Sequence, residues 1–306
     1  MKRWIGLLTA LLLLCSCVAC TPTVEEPESS LPESSIEEDT EYPVTVGGVT
    51  VECAPLRAVA LTPALAEAVS ELGYGEALCG VTDTCDALEL EGVTELGDLY
   101  ALNYDRLAAL MPDLILTQSV PDTLATWAEK AEVPVLVLAP PTDADSLGAY
   151  YKDLAAVFGS KRSGEAVATT LYLAVTGSLQ LLSGKVPVEG EAPKVLYLAD
   201  ASGAVATGDT VWQWLFDTLS AKNVAAAGVN WAAPTDMETP DTVFCPAELT
   251  AQAKKAWPKA DIVILSKDAA YYSGHTLNTI AFELAEVLYP EAMEDTSADG
   301  SENSEE

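Results

Sequence analysis

The chain has 306 residues, 49% of them hydrophobic, and sets 47 acidic side chains against 15 basic ones, a formal net charge of −32 with a single histidine. That charge excludes nucleic acid as a partner, because its binders need basic surface, and it excludes lying flat on an anionic membrane. One histidine also excludes a multi-histidine metal site or relay.

The N-terminus points to export. Lys2 and Arg3 precede an apolar run, Ile5 to Leu14, of the length of a signal-peptide core. It is shorter than the roughly 20 residues a membrane span needs. Leu14-Cys15-Ser16-Cys17 fits the lipobox of bacterial lipoproteins, so residues 1–20 are expected to be a lipoprotein signal with Cys17 lipidated, or Cys20 as the alternative. Residues 21–41 hold eight acids and no base, with several Pro and Ser. Such a segment buries too little apolar surface to fold, and is expected to be a disordered tether. Residues 291–306, with seven acids and no base, are expected to be a disordered tail. Cys53, Cys79, Cys85 and Cys245 remain, and they allow three complete pairings among which sequence cannot choose.

Between the ends, β-rich runs alternate with helical patterns. "YPVTVGGVTVECAP" reads as a hairpin around Gly47-Gly48. "AVAL" leads into a helix near 63–73, then "ALCGVT", the helix "YDRLAAL", the strand "PDLILTQ", the helix "DTLATWAEKA" and the strand "VPVLVLAP". Helices near 143–158 and 161–183 follow, the second without proline. After "SGKVPVEGEAPK" the pattern restarts with "KVLYLAD", a helix at 211–221, "DTVFCP", the helix "AELTAQAKKAW", "ADIVILS" and a last helix at 276–288. The expected fold is α/β, with two lobes, each a mainly parallel sheet flanked by helices, joined by one long helix. The lobes span 42–160 and 185–290, and the helix 161–184.

Several of these segments carry a family resemblance. "RAVALTPALAEAVSELGYGEALCGVTDTCD" and "LGDLYALNYDRLAALMPDLIL" resemble, in order, the first lobe of the cobalamin-, siderophore- and haem-binding lipoproteins of ABC importers. "KVLYLAD", "NVAA" and "LAEVLYP" continue the likeness in the second lobe, over about 42 to 290. "NWAAPTDMETP", residues 230–240, is shorter than the family's pattern, which has a helix there. The resemblance implies a rigid inter-lobe helix, small lobe closure, and a ligand held where the strands' carboxyl ends face each other.

On that basis the candidate ligand residues are Thr62 and Pro63 at a helix start, Tyr100, Gln118 and Ser119 in the first lobe. In the second they are Thr207, Asp209, Trp212, Tyr271, Tyr272 and His275. Thr62 is expected to cap the helix and Pro63 to occupy its first turn. Trp212 could equally belong to an apolar helical stripe with Leu215, Phe216 and Leu219. The family grips its permease with one acid per lobe. The resemblance assigns these to Glu67, expected to face solvent two residues from Leu65, and to Asp217.

No phosphate-binding loop, dinucleotide fingerprint or nucleophile elbow is present, and neither catalysis nor a cofactor is expected. The mature chain has only Arg57, Arg106 and Arg162, none in a predicted cleft loop, whereas anionic ferric siderophores favour clustered arginines. The expected function is therefore a lipid-anchored, extracytoplasmic subunit that passes a corrinoid or an iron chelate to an ABC permease and its ATPase. A haem binder, through Tyr or His ligation, and a non-transporting surface scaffold or adhesion lipoprotein are the alternatives.

Overall fold

The computed structural model describes residues 42–298, except 89, 160, 188 and 189. The signal peptide, Cys17, Cys20 and the tether lie outside the described residues. The hairpin forms as β1 (Val44–Val46) and β2 (Val49–Val51), antiparallel. Its turn places Gly47 at φ 56° and Gly48 at φ 81°. Two consecutive positive φ angles are what a tight two-residue hairpin requires and what glycine supplies without strain.

The first lobe is a five-stranded parallel sheet. Its strands are β3 (Ala58–Ala60), β4 (Leu78–Val81), β5 (Thr94–Glu95), β6 (Leu114–Thr117) and β7 (Val135–Val137), in the order β5-β4-β3-β6-β7. Helices cover both faces, so the central strands are apolar on both sides. Val59, Leu61 and Ile115 pack with Leu107 of α2 (Tyr104–Leu110) and Leu124 of α3 (Asp122–Ala131). Ala58, Ala60, Leu114 and Leu116 pack with Leu65 and Val69 of α1 (Pro63–Val69) and Tyr151 of α4 (Ala144–Phe158). Two caps start helices where sequence chemistry allows. Asn103 accepts from the Arg106 amide at 3.0 Å, and Asp143 forms a reciprocal capping box with Ser146.

A 23-residue helix, α5 (Lys161–Ser183), follows α4. It packs against α4 in the first lobe, and against α6 (Val211–Thr218) and α8 (His275–Leu288) in the second. At 1.5 Å per residue it is about 34 Å long, enough to run behind both lobes.

The second lobe is a four-stranded parallel sheet in the order β11-β10-β8-β9, from β8 (Lys194–Tyr197), β9 (Lys222–Asn223), β10 (Thr242–Cys245) and β11 (Asp261–Ile264). One face packs on α7 (Thr250–Ala256) through Leu196, Val243, Leu249 and Ala253. The other carries Tyr197 and Phe244 against Trp212, Phe216, Ile280 and Leu284. Trp214 of α6 packs against the cores of both lobes.

The stretch 230–240, read in the sequence as shorter than the family's pattern, holds no helix and makes a tight turn, with Asn230 and Trp231 at positive φ and a bridge between Val229 and Ala232. One feature differs from the expectations. The acidic tail does not lose structure at 291, since α9 runs Pro290–Ala298, with Met293 packed on the second-lobe core. Cys53, Cys79 and Cys245, whose pairing the sequence left open, are free thiols.

Candidate functional site

In an open parallel sheet, ligands bind beyond the carboxyl ends of the strands, where the strand order reverses direction. In the first lobe β3, β4 and β5 run outward one way and β6 and β7 the other, so the reversal falls between β3 and β6. Thr62 follows β3, and Gln118 and Ser119 follow β6, which places these three candidates at the reversal. Thr62 Oγ1 and Gln118 Nε2 are both buried without a hydrogen-bond partner. Thr62 has the extended backbone of an N-cap residue but its side chain caps nothing, contrary to expectation, while Pro63 does occupy the first turn.

In the second lobe the reversal falls between β8 and β10. The loop after β8 carries Asp200, a residue the sequence reasoning passed over. Its carboxylate accepts from the Ser202 amide at 2.8 Å, the Ser202 hydroxyl at 2.6 Å and the Ala204 amide at 3.1 Å. These bonds hold its carboxyl below the usual carboxylate range. Asp98, also passed over, organises the first-lobe loop that carries Tyr100 by accepting the Tyr100 amide at 2.8 Å. Asp98 falls in "LGDLYALNYDRLAALMPDLIL" and Asp200 ends "KVLYLAD", but only the strand order shows that the Asp200 loop lies at a reversal.

Tyr271 brings these pieces together. Its ring is about half exposed at 51%, in the loop after β11. Burial of its hydroxyl raises its pKa, and the carboxylates of Asp268, Asp200 and Asp98 raise it further. Asp98 belongs to the first lobe and Asp200 and Asp268 to the second, so carboxylates of both lobes act on the Tyr271 hydroxyl. Tyr100, at 74% exposure, rides on the Asp98 loop.

Other candidates have different roles. Trp212 is fully buried, stacked on Tyr197 at 3.9 Å between ring centroids, and donates its indole N–H to Asp268 at 2.9 Å. It is a core residue and not a cleft wall. Tyr272 is buried beneath the Lys267 ammonium, 5.4 Å from the ring centroid. Thr207 is buried, donates its hydroxyl to Asp209, and accepts the Trp231 amide at 3.2 Å. Asp209 accepts the Asn230 amide at 2.9 Å. Together they staple the tight turn that replaces the missing helix.

Glu67 reverses its expectation outright. It is 5% exposed and accepts backbone N–H groups from Ser273 and Gly274, each at 2.8 Å, and from Thr276 at 3.1 Å. The angular reading placed it opposite Leu65, facing water. Every residue of α1 is buried, however, because the second lobe's segment 269–276 covers the remaining side. His275 is exposed and bonded to Glu71 through Nδ1 at 2.8 Å, on that same contact. Asp217 is exposed on α6 and accepts from Gln213 at 2.8 Å.

Two parallel-sheet lobes and one helix packed on both define a two-lobed α/β architecture. The sequence pattern of the periplasmic binding protein family matches residues 59–255, and the chain belongs to that family. It is a substrate-binding component of an ABC transporter. Among relatives, YvrC of Bacillus subtilis strain 168, described as an uncharacterized ABC transporter substrate-binding lipoprotein, is 26% identical over 96% of this chain and 100% of its own length. A periplasmic haem-binding protein from Pseudomonas aeruginosa shares the fold at a TM-score of 0.64 and 21% identity, over 77% of this chain and 93% of its own. The haem-binding protein HutB of Vibrio cholerae matches at a TM-score of 0.64 and 21% identity, over 77% and 99%.

Proposed function

We propose that this chain is a lipid-anchored, extracytoplasmic subunit that captures a neutral or cationic metal chelate, a corrinoid or a siderophore complex, and hands it to an ABC permease without chemical change. The observation that carries the ligand class is the charge around Tyr271, with Asp98 from one lobe and Asp200 and Asp268 from the other. An anionic ligand entering that cleft meets like charge. The described arginines offer no compensation there. Arg57 donates to the Leu110 carbonyl at 2.6 Å, at the amino end of β3, and Arg106 to the Glu95 carbonyl at 3.1 Å. The exposed rings of Tyr100 and Tyr271 suit a large flat face. Asp217, an exposed acid on the second lobe, is assigned to the permease contact, and Glu67 is withdrawn from that role.

Haem is the second reading, favoured by the haem-binding proteins of the same fold. Against it, burial first and the neighbouring carboxylates second raise the Tyr271 pKa, which disfavours the phenolate that ligates ferric iron, and the carboxylates repel propionates. A thermal-shift panel separates the two, using cyanocobalamin, a neutral and a cationic ferric siderophore, an anionic ferric siderophore, and haemin. Binding at a hundred times the dissociation constant stabilises by about 2.7 kcal/mol. Stabilisation by one of the first three supports the proposal. Stabilisation by haemin or the anionic chelate alone overturns it.

A further inference from the structure

We propose that Glu67 and Glu71 form an inter-lobe clasp on the start of α8 and act as positioning residues for the cleft side chain Tyr271. The proposal rests on the assignment of Tyr271 to the binding site. Helix α8 begins without a side-chain cap of its own, because its N-cap is Gly274. The first amides of a helix have no intrahelical acceptor and need one from elsewhere. Here the other lobe supplies most of them, and the Leu277 amide donates to the Gly274 carbonyl at 3.1 Å. Glu67 takes the amides of Ser273, Gly274 and Thr276, and Glu71, one turn further along, takes the amide of His275 at 3.0 Å and its ring at 2.8 Å. Carboxylates at a helix N-terminus gain from both the charge-assisted bonds and the helix dipole. Two further bonds tighten the contact. The Ser273 hydroxyl donates to the Ala64 carbonyl at 2.8 Å, and the Tyr151 hydroxyl donates to the Ser273 carbonyl.

The clasped segment is also fixed at its other end. Asp268 accepts from Trp212 and from the Ala270 amide at 2.9 Å, which ties it to the second-lobe core. Tyr271, whose amide donates to the Asp268 carbonyl at 3.0 Å, sits between the two anchors. The fit at Gly274 is close, since a Cβ there would overlap the Glu71 carboxylate. The position of the cleft aromatic is thereby set by first-lobe acids that do not touch the ligand.

Hydrogen exchange on the intact mature protein tests the clasp without any ligand. In Glu67→Gln the amide N–H groups of Ser273, Gly274 and Thr276 lose a carboxylate acceptor. Their exchange should rise by about tenfold or more, and the rise should extend to Tyr271 and Tyr272 while β3 and β10 stay protected. If Glu67→Gln does not fold, Gly274→Ala, which displaces Glu71 from the opposite lobe, is expected to give the same pattern. The binding arm uses cyanocobalamin, haemin and the siderophore complexes directly. For whichever binds wild type, Glu67→Gln should weaken affinity about tenfold, and should weaken it no further when added to Tyr271→Ala. Unchanged exchange across 270–276 in a folded variant overturns the clasp. Faster exchange at 273–276 with Tyr271 and Tyr272 still protected overturns the positioning role. If no compound binds wild type, the ligand assignment fails, and the exchange result still decides the clasp.

Discussion

The indole of Trp212 donates to the Asp268 carboxylate at 2.9 Å inside the second-lobe core, and this bond fixes the start of the loop that carries Tyr271. Burial pushes the Asp268 carboxyl above its ordinary range even though it accepts from Trp212 and from the Ala270 amide. Trp212→Phe keeps most of the ring volume but removes one donor from a buried acid, and should cost about 1–3 kcal/mol. Trp212→Ala adds a cavity and should cost about 3–5 kcal/mol. Denaturant unfolding of the two variants checks the order. Equal stability of Trp212→Phe and wild type would contradict it.

The same burial argument gives a pH dependence. Glu71 has its pKa raised, first by burial. An acid whose folded pKa lies above its unfolded value adds stability that is full below the unfolded value, 4.5 here, and is lost as pH rises through the folded pKa. Glu71→Gln removes that contribution. The Tm of wild type minus that of Glu71→Gln should therefore be larger near about pH 4 than near about pH 7. A gap that grows toward neutral pH would reverse the sign and contradict the assignment.

The long helix offers an internal control. A Cβ on Gly164 would meet the Ala155 carbonyl oxygen at 2.5 Å, where α4 and α5 cross, whereas one on Gly177 would meet nothing within 4 Å. Gly164→Ala should destabilise by about 1–3 kcal/mol through overpacking. Gly177→Ala should stabilise by about 0.5–1 kcal/mol, because alanine is the better helix former. Thermal unfolding of the pair reads both signs in one experiment, and a stabilising Gly164→Ala would mean the two helices do not cross this closely.

Charge reversal separates the two acids first assigned to the permease. Asp217→Lys, on an exposed helix face, should leave Tm within a degree or two while lowering transport about tenfold or more. Glu67→Lys places a cation among three N–H groups and should destabilise the fold by several kcal/mol. Transport assays on cells carrying each variant, beside melting curves of the purified proteins, distinguish the roles. Full transport with Asp217→Lys would remove that residue from the docking surface.

What the sequence showed and what it hid have physical reasons. The strands and long helices followed from period and punctuation. "PDLILTQ" became β6 and 161–183 became α5, because doubly covered parallel strands and a proline-free stretch leave few alternatives. Glu67 was misplaced because the periodic argument assumes one buried face and one wet one. The alternation Ala64, Ala66, Ala68 on α1 marks a helix packed closely on every side, and such a helix hides even a carboxylate if amide groups meet it. Trp212 fell between two readings, since an apolar stripe and a cleft wall use the same residue types. Asp98 and Asp200 could be recognised only once the strand order fixed which loops sit at the reversals. Helix α9 was missed because an acidic composition outweighed Met293, whose contact with the core is long-range.

The direct test of the binding site is the dissociation constant of the best-binding chelate for wild type and for Tyr271→Ala, measured by fluorescence titration at matched ionic strength. Tyr271 is half exposed and makes no core contact that its loss would empty. Binding should weaken by about 1–2 kcal/mol, roughly five- to thirtyfold, with an unchanged Tm. Equal affinity in the two proteins would contradict the placement of the ligand between the lobes at Tyr271.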